Sequence, residues 1–308
     1  MNVAVLSGGV GGARFLRGVL GVVDPGNVSI IGNVADDIEV LGLRVSPDLD
    51  SILYTLTGLA DEERGWGRAG ETWHALDTVA QLGGESWFRL GDRDIGLHLV
   101  RTELLRRGVP LSEATEQIAH GLGLEAQLLP ATDDPVRTFV ETPEGTFPFQ
   151  TWFVARRHRD EVDAVHYAGA PEAAPAPGVL EAIASARGVI VCPSNPITSI
   201  GPILAVPGLL DALSRTDATT VAISPIVGSD AVSGPAGRLM AVSGLPVSVT
   251  GVARAYAAWL DVLVFDERDI AQSSAVRELG VSPATAQTIM ASRADESALA
   301  RRVLDVLS

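Results

Sequence analysis

Apolar residues fall along this chain in short blocks, each closed by glycine, proline or an acid. Residues 2–7 (NVAVLS) form one continuous apolar run of strand length. Residues 12–22 follow with Phe15, Leu16, Val19 and Leu20 on one helical face. Asp24-Pro25-Gly26-Asn27 turns the chain, and Val28–Gly32 is a second apolar run. Strand, helix and strand in that order predict a βαβ unit, hence a parallel sheet with right-handed crossovers. The same alternation resumes with a strand over 188–192, a helix near 199–213 and a strand over 219–223. Helices through 236–243 and 251–260, a strand over 261–265 and two C-terminal helices complete it.

Between these halves, helices are expected from Asp48 onward (DLDSILYTLTGL) and over Asp92–Arg107, with Leu97, Val100 and Leu104 inward. Another is expected from a Ser112 cap to His120. Residues 126–165 change period. RTFVETPEGTFPFQTWFV is β-branched and aromatic, with Pro143-Glu144-Gly145 as a turn, so an inserted antiparallel β-rich subregion is expected. AGAPEAAPAPG over 168–178 reads as a linker. The fold class is α/β: a single domain over 1–308, a parallel sheet flanked by helices. No fixed-period repeat is visible.

Composition narrows the function classes. The chain is 46% hydrophobic over 308 residues, which supports a sizeable core. Its one cysteine, Cys192, excludes internal disulfides and a cysteine zinc cage, and fits a reducing cytoplasm. No apolar run approaches the roughly 18 residues of a membrane helix, and the first residues lack a signal-peptide pattern. A net charge of −15 argues against nucleic acid as a partner. All 23 Lys-plus-Arg residues are Arg. A P-loop lysine, a Schiff base and a catalytic amine are therefore excluded. Positive charge at a phosphate must come from Arg, a metal ion or helix N-termini.

The opening SGGVGG places Gly8, Gly9, Gly11 and Gly12 between a strand and a helix, more glycine than a tight turn needs. Such a loop holds phosphate. A nicotinamide cofactor is disfavoured, because Arg14 stands where a dinucleotide fingerprint has its third glycine. Gly32-Asn33 likewise stands where the ribose-binding acid belongs. Past the second strand, Asn33, Asp36 and Asp37 should lie beside the glycine loop, with Asp48 and Asp50 opening the next helix. Singly, Asp48 reads as an N-cap and Asp50 as a first-turn acid. Together, four carboxylates at a phosphate site without lysine call for magnesium, which takes one or two carboxylates plus substrate phosphates.

Three further groups stand out. Trp66 and Trp73 among glycines read either as core or as a shelf for a flat ring. Asp94, His98 and Arg101 share one helical stripe, as a solvated ion-pair face or as a site, with Asp92 as a candidate cap. PSNPITSIGPIL offers Ser194, Asn195, Ser199 and free amides as a second anion or nucleobase site.

SGGVGG, NVADD, PDLDS, GDRD with His98 and Arg101, DDPVRTFVETPEG and PSNPITSIGPIL occur in that order over residues 1–266. The set resembles the 2-phospho-L-lactate transferases of deazaflavin coenzyme F-420 biosynthesis, the CofD or FbiA type. The resemblance implies a Rossmann-like core, a homodimer and magnesium-dependent transfer. The donor it implies is a guanosine diphosphate ester of lactate or enolpyruvate, the acceptor the ribityl hydroxyl of the deazaflavin FO, and the leaving group GMP. It implies Asp36, Asp37 and Asp50 as metal-holding and catalytic residues. Asp50, Trp66, Asp92, Asp94, His98 and Arg101 would serve the acceptor. Gly8, Gly9, Gly11, Gly12, Asn33, Ser194, Asn195 and Ser199 would serve the nucleotide. On this reading Asp50→Asn abolishes turnover with little loss of stability. The chain departs from the family in 224–237, where Asp230 and Ser233 replace basic residues and Arg238 is the neighbour able to compensate. The alternative is a uridine-diphospho-sugar-binding regulator of the wider PSNP group.

Overall fold

The computed structural model describes residues 1–307. Its central sheet has seven strands: Val3–Ser7, Val28–Gly32, Gln127–Pro130, Gly188–Val191, Thr219–Ile223, Val262–Asp266 and Ser282–Ala286. All neighbours pair parallel. Counted along the chain, they lie in the order third, second, first, fourth, fifth, sixth, seventh.

Successive residues of each strand point to opposite faces. Ala4, Leu6, Ile31, Val189, Val191, Leu263 and Phe265 pack on one side. Val3, Val5, Val28, Ile30, Ile190 and Val264 pack on the other. Both faces are covered, which is why the strands read as unbroken apolar runs. Helices Gly9–Leu20, Pro47–Leu56 and Arg293–Val306 close the second face through Phe15, Leu16, Val19, Leu49, Ile52, Leu53, Leu299 and Val303. Helices Val179–Ser185, Leu209–Arg215, Ala236–Val242 and Val249–Tyr256 close the first. Each such fully buried aliphatic side chain contributes about 1.5–3 kcal/mol.

The strand order has a direct consequence for the site. Winding runs outward from the first strand in one direction and from the fourth in the other. The loops leaving those two adjacent strands therefore diverge and open a crevice at their carboxyl ends.

Four expectations are corrected. Gln127–Pro130 is an edge strand of the central sheet, held in register by Val28–Gly32, and lies outside the insertion. The antiparallel piece is Arg137–Thr142 between Gly145–Pro148 and Ala164–Ala168, with Val140, Phe149 and Trp152 buried in the core. Ser282–Ala286 (SPATA) has a polar sequence, yet pairs along five residues of Val262–Asp266. Helix Asp92–Arg106 buries Leu97 and Leu104 as expected, but Val100 is 46% exposed, and Asp94, His98 and Arg101 are buried beside the leucines. The helix after it starts at Leu111 behind Pro110, and Ser112 instead donates its amide and hydroxyl to Asp133 at 2.6 and 2.8 Å. Among the described residues, no single helix is long and apolar enough to cross a membrane.

Candidate active site

The glycine turn and the Pro193–Ser199 turn leave the first and fourth strands, so they meet where the winding reverses. Ser194 Oγ donates to the Gly8 carbonyl at 2.7 Å and accepts from the Gly8 amide at 3.3 Å. Gly9 has φ +71, a left-handed conformation that favours glycine. A Cβ on Gly8 would stand 2.5 Å from Asp48 Oδ2, and one on Gly12 2.5 Å from Ser7 Oγ and 2.7 Å from Ser194 Oγ. These glycines let three polar segments close on one another. Ser199 lies against Gly8. Asn195 Oδ1 accepts from the Ile197 amide at 2.9 Å and the Thr198 amide at 3.4 Å, capping its own turn. Ser194 and Asn195 thus shape the seat with the very atoms that were expected to reach a nucleotide.

Asp48 occupies the foot of this seat. The helix caps at Ser46, so the N-cap expectation for Asp48 does not hold. Its carboxylate accepts Asn33 Nδ2 at 2.9 Å and a backbone hydrogen bond from Gly9. Asn33 Nδ2 also donates to the Thr198 carbonyl at 3.1 Å, tying the second strand to the same corner.

Asp36 is buried, and its Oδ1 has no hydrogen-bond partner among the described residues. Part-buried Asp37 accepts Ser46 Oγ at 2.8 Å. Asp50 receives Arg101 through both guanidinium nitrogens, Nη1 to Oδ2 at 3.0 Å and Nη2 to Oδ1, and the Ser46 amide at 3.2 Å. Arg101 is wholly buried. His98 lies 3.8 Å from Asp50 through Nδ1 and 3.1 Å from Asp94 through Nε2. Tyr54 donates its hydroxyl to Asp94. The stripe read along the helix is therefore a buried row, Tyr54–Asp94–His98–Arg101–Asp50, and the solvated ion-pair alternative fails. These side chains hold Asp50; Arg101 has no surface left for an acceptor.

Two other candidates are placed apart from that row. Asp92 accepts Thr72 Oγ1 at 2.6 Å and the amides of His74 and Ala75 at 3.2 and 3.0 Å, capping helix His74–Gln81. Trp66 is 43% exposed with the Arg64 guanidinium 4.8 Å from its ring centre. Trp73 lies between Arg64 and Arg89, at 5.1 and 4.5 Å. A guanidinium group packs against each ring, and Trp66 keeps further surface exposed. Next to the 224–237 segment, Arg238 donates to the carbonyls of His158 at 2.6 Å and Asp160 at 3.3 Å. It therefore does not supply the charge that Asp230 and Ser233 lack.

The electrostatics follow from crowding acids under cover. Burial and the neighbouring Asp48 push Asp36 well above the usual carboxylate range. Burial lifts Asp37 to about 7, against the Ser46 hydrogen bond and the charges of Arg137 and Arg101. Burial lifts Asp48 to about 6, against its Asn33 and Gly9 hydrogen bonds. Asp94 moves the other way: burial raises it, but the close His98 ring, the Tyr54 hydrogen bond and the Arg101 charge outweigh that and hold it low.

A pH dependence of stability follows. An acid raised in the fold binds more protons there than in the unfolded chain, so stability falls as pH rises through the folded value. The ligand-free protein should melt several degrees higher near pH 5 than near pH 8. Asp37→Asn should narrow that gap, as scanning calorimetry at the two pH values would report; an unchanged gap would mean that Asp37 is ordinary.

Among the described residues, no three of His, Cys, Asp and Glu gather closely enough to cage a metal ion. Asp50 is bound at both oxygens by Arg101, so the trio Asp36, Asp37 and Asp50 does not fit as a ligand set. Asp36, with its orphaned buried oxygen, fits a cation shared with substrate phosphates. Three contributors escaped the sequence reading: Ser46, Tyr54 and Arg137. Arg137 lay within the DDPVRTFV stretch, and Tyr54 within DLDSILYTLTGL. Nothing in either stretch marked them, because their partners are remote in sequence or supplied by a turn.

The family model described as 2-phospho-L-lactate transferase CofD matches residues 3–305. A 2-phospho-L-lactate transferase of Methanosarcina mazei is 39% identical over 300 residues, covering 97% of this chain and 98% of the relative. A phosphoenolpyruvate transferase of Streptomyces griseus is 41% identical over 312 residues, covering 99% and 98%. A solved structure of a UPF0052 family protein from Bacillus halodurans superposes with a TM-score of 0.65. At 19% identity, with 98% of each chain covered, it shows the shared fold.

Proposed function

This chain belongs to the family of 2-phospho-L-lactate transferase CofD, and from that premise we propose that it transfers a phospholactyl or phosphoenolpyruvyl group. The donor is guanosine-diphosphate-linked, the acceptor is the terminal ribityl hydroxyl of the deazaflavin FO, and GMP leaves. The reading includes a cytoplasmic homodimer whose other partners are these small molecules. The observation that carries it is the gathering of Asp36, Asp37, Asp48 and Asp50 beside a glycine turn at the sheet's switch point.

Such a transfer asks for positioning and charge neutralisation more than for covalent chemistry. The start of helix Gly9–Leu20 receives the diphosphate through backbone amides beyond those of Gly8 and Gly9, which Ser194 and Asp48 occupy. Magnesium, where bound, supplies the positive charge that lets phosphates approach the acids, and Asp36 would hold it together with those phosphates. Arg101 and the Ser46 amide keep Asp50 oriented. Asp37 takes the acceptor's proton at Oδ1, the oxygen that Ser46 leaves free. The acceptor oxygen then bonds to the distal phosphorus, and the bond from that phosphorus to the bridging oxygen breaks. GMP departs with the bridging oxygen. Trp66 offers the exposed aromatic surface for the deazaflavin ring.

Purified protein given FO, magnesium and each donor in turn should release GMP and form an FO adduct of the matching mass. Mass spectrometry of the product also identifies the preferred donor. Absence of GMP with both donors, combined with tight uridine-diphospho-sugar binding, would leave the regulator reading in its place.

A further inference from the structure

We propose that Arg137, backed by Arg44, is the seat for the carboxylate of the transferred group, an inference that rests on the transferase reading above. The donor brings two phosphates and a carboxylate into a crevice already holding four aspartates. In a chain without lysine, each arginine near that crevice can be accounted for. Arg14 and Arg17, on the glycine helix, turn away to Glu296 at 3.2 and 2.6 Å. Arg101 belongs to Asp50 and Arg238 to two carbonyls.

Arg137 differs from all of these. Its Nη1 donates to the Val136 carbonyl at 2.8 Å, and no acid pairs with it among the described residues. The Thr138 amide bonds the Ala35 carbonyl at 2.8 Å, which fixes Arg137 beside the Asp36-Asp37 turn. Arg44 stands on the Leu43–Val45 strand, anchored through its amide to Thr102 Oγ1 at 2.8 Å. Its nearest acid, Glu39, is exposed and 4.0 Å away. Burial and the nearby Arg44 charge both hold the Arg137 guanidinium below its usual value, against the pull of Asp37. Two like charges kept close, one of them partly desolvated and neither tightly paired, form a receptor for an anion.

The neighbours also order the seat. The Asp36-Asp37 turn links the two groups: Asp36 neighbours Asp48 at the glycine turn, while Asp37 and Arg44 neighbour Arg137, whose strand the Thr138–Ala35 hydrogen bond joins to that turn. A diphosphate at the glycine turn therefore directs the group beyond its distal phosphorus toward Arg137. That group ends in a planar carboxylate, which a guanidinium fork grips with two parallel hydrogen bonds. The phosphates have amides and a shared cation; the carboxylate has only these arginines.

The test varies enzyme and donor together. The wild type should lose tenfold or more in kcat/KM when the donor carboxylate is converted to its amide. Arg137→Ala should lose at least tenfold with the carboxylate donor, mainly in donor KM, and little further with the amide donor. Arg137→Lys should fall between, and KM for FO should not move. Equal losses with both donors, or none, would overturn the seat. A second measurement separates this from failure of the transferase reading itself. Calorimetric titration with free phosphoenolpyruvate should show wild type binding at least tenfold more tightly than Arg137→Ala, with matched melting temperatures. Equal binding refutes the seat whether or not turnover is seen, while absent turnover with retained Arg137-dependent binding faults the transferase reading alone.

Discussion

Arg101→Met is expected to destabilise the protein by about 3–5 kcal/mol and to abolish turnover. Arg101 is wholly buried, and both Asp50 oxygens depend on it. Removing the cation leaves an ionised carboxylate in a desolvated place with only the Ser46 amide at 3.2 Å. Against a typical total of about 5–15 kcal/mol, such a loss is large enough to lower the urea midpoint clearly. The same reasoning corrects the expectation for Asp50→Asn. The amide cannot accept from both guanidinium nitrogens, so stability and turnover should fall together. The control is Arg101→Met with Asp50→Leu, which removes both charges. That double variant should recover much of the stability without recovering activity. If Arg101→Met unfolds at the wild-type urea concentration, the row from Tyr54 to Asp50 does not carry the site.

Asp36→Asn is expected to act in the opposite sense on stability. Asp36 is buried beside Asp48 and has an oxygen with no hydrogen-bond partner among the described residues. Burial and a like charge both disfavour its ionised form. Neutralising it should stabilise the ligand-free protein by roughly 1 kcal/mol or more at pH 8. The gain should shrink as pH falls and the wild-type acid takes up its own proton. Turnover should fall by about 100-fold or more, on the scale of removing one preorganised electrostatic group. Paired melting curves and initial rates at pH 8 check both halves. A variant that loses stability, or keeps its rate, would show that Asp36 is a structural acid. Gain of stability with loss of rate marks a functional site, because the strained group is retained for the ligand and not for the fold.

The two variants separate the acids into kinds that look alike in the sequence. Asp36, Asp37, Asp48 and Asp50 all fall within fifteen residues of one another. One is neutralised by an arginine fifty-one positions away, one caps the start of a glycine helix, and two are left crowded. Spacing places them near a common site, but it does not say which has a partner.

The parallel core, the glycine turn and the approach of NVADD to it were legible because each is local. Strand length, apolar runs and glycine chemistry act over a few residues, and the winding rule then brings the loops of adjacent strands together. The absence of lysine, and with it the demand for arginine, amide or metal at any phosphate, also stands in the sequence alone. What only the tertiary structure decided is which polar atoms were already taken. Asp94, His98 and Arg101 are buried along with Leu97 and Leu104, so the apolar residues on that helix mark only part of its buried side. Ser282–Ala286 is a strand because a partner edge supplies its hydrogen bonds, whatever its composition. Ser194, Asn195 and Asp92 are framework, and Arg137 has no acid partner among the described residues, for the same reason. Hydrogen bonds and ion pairs are made in three dimensions between residues far apart in the chain, and no local pattern records their partners.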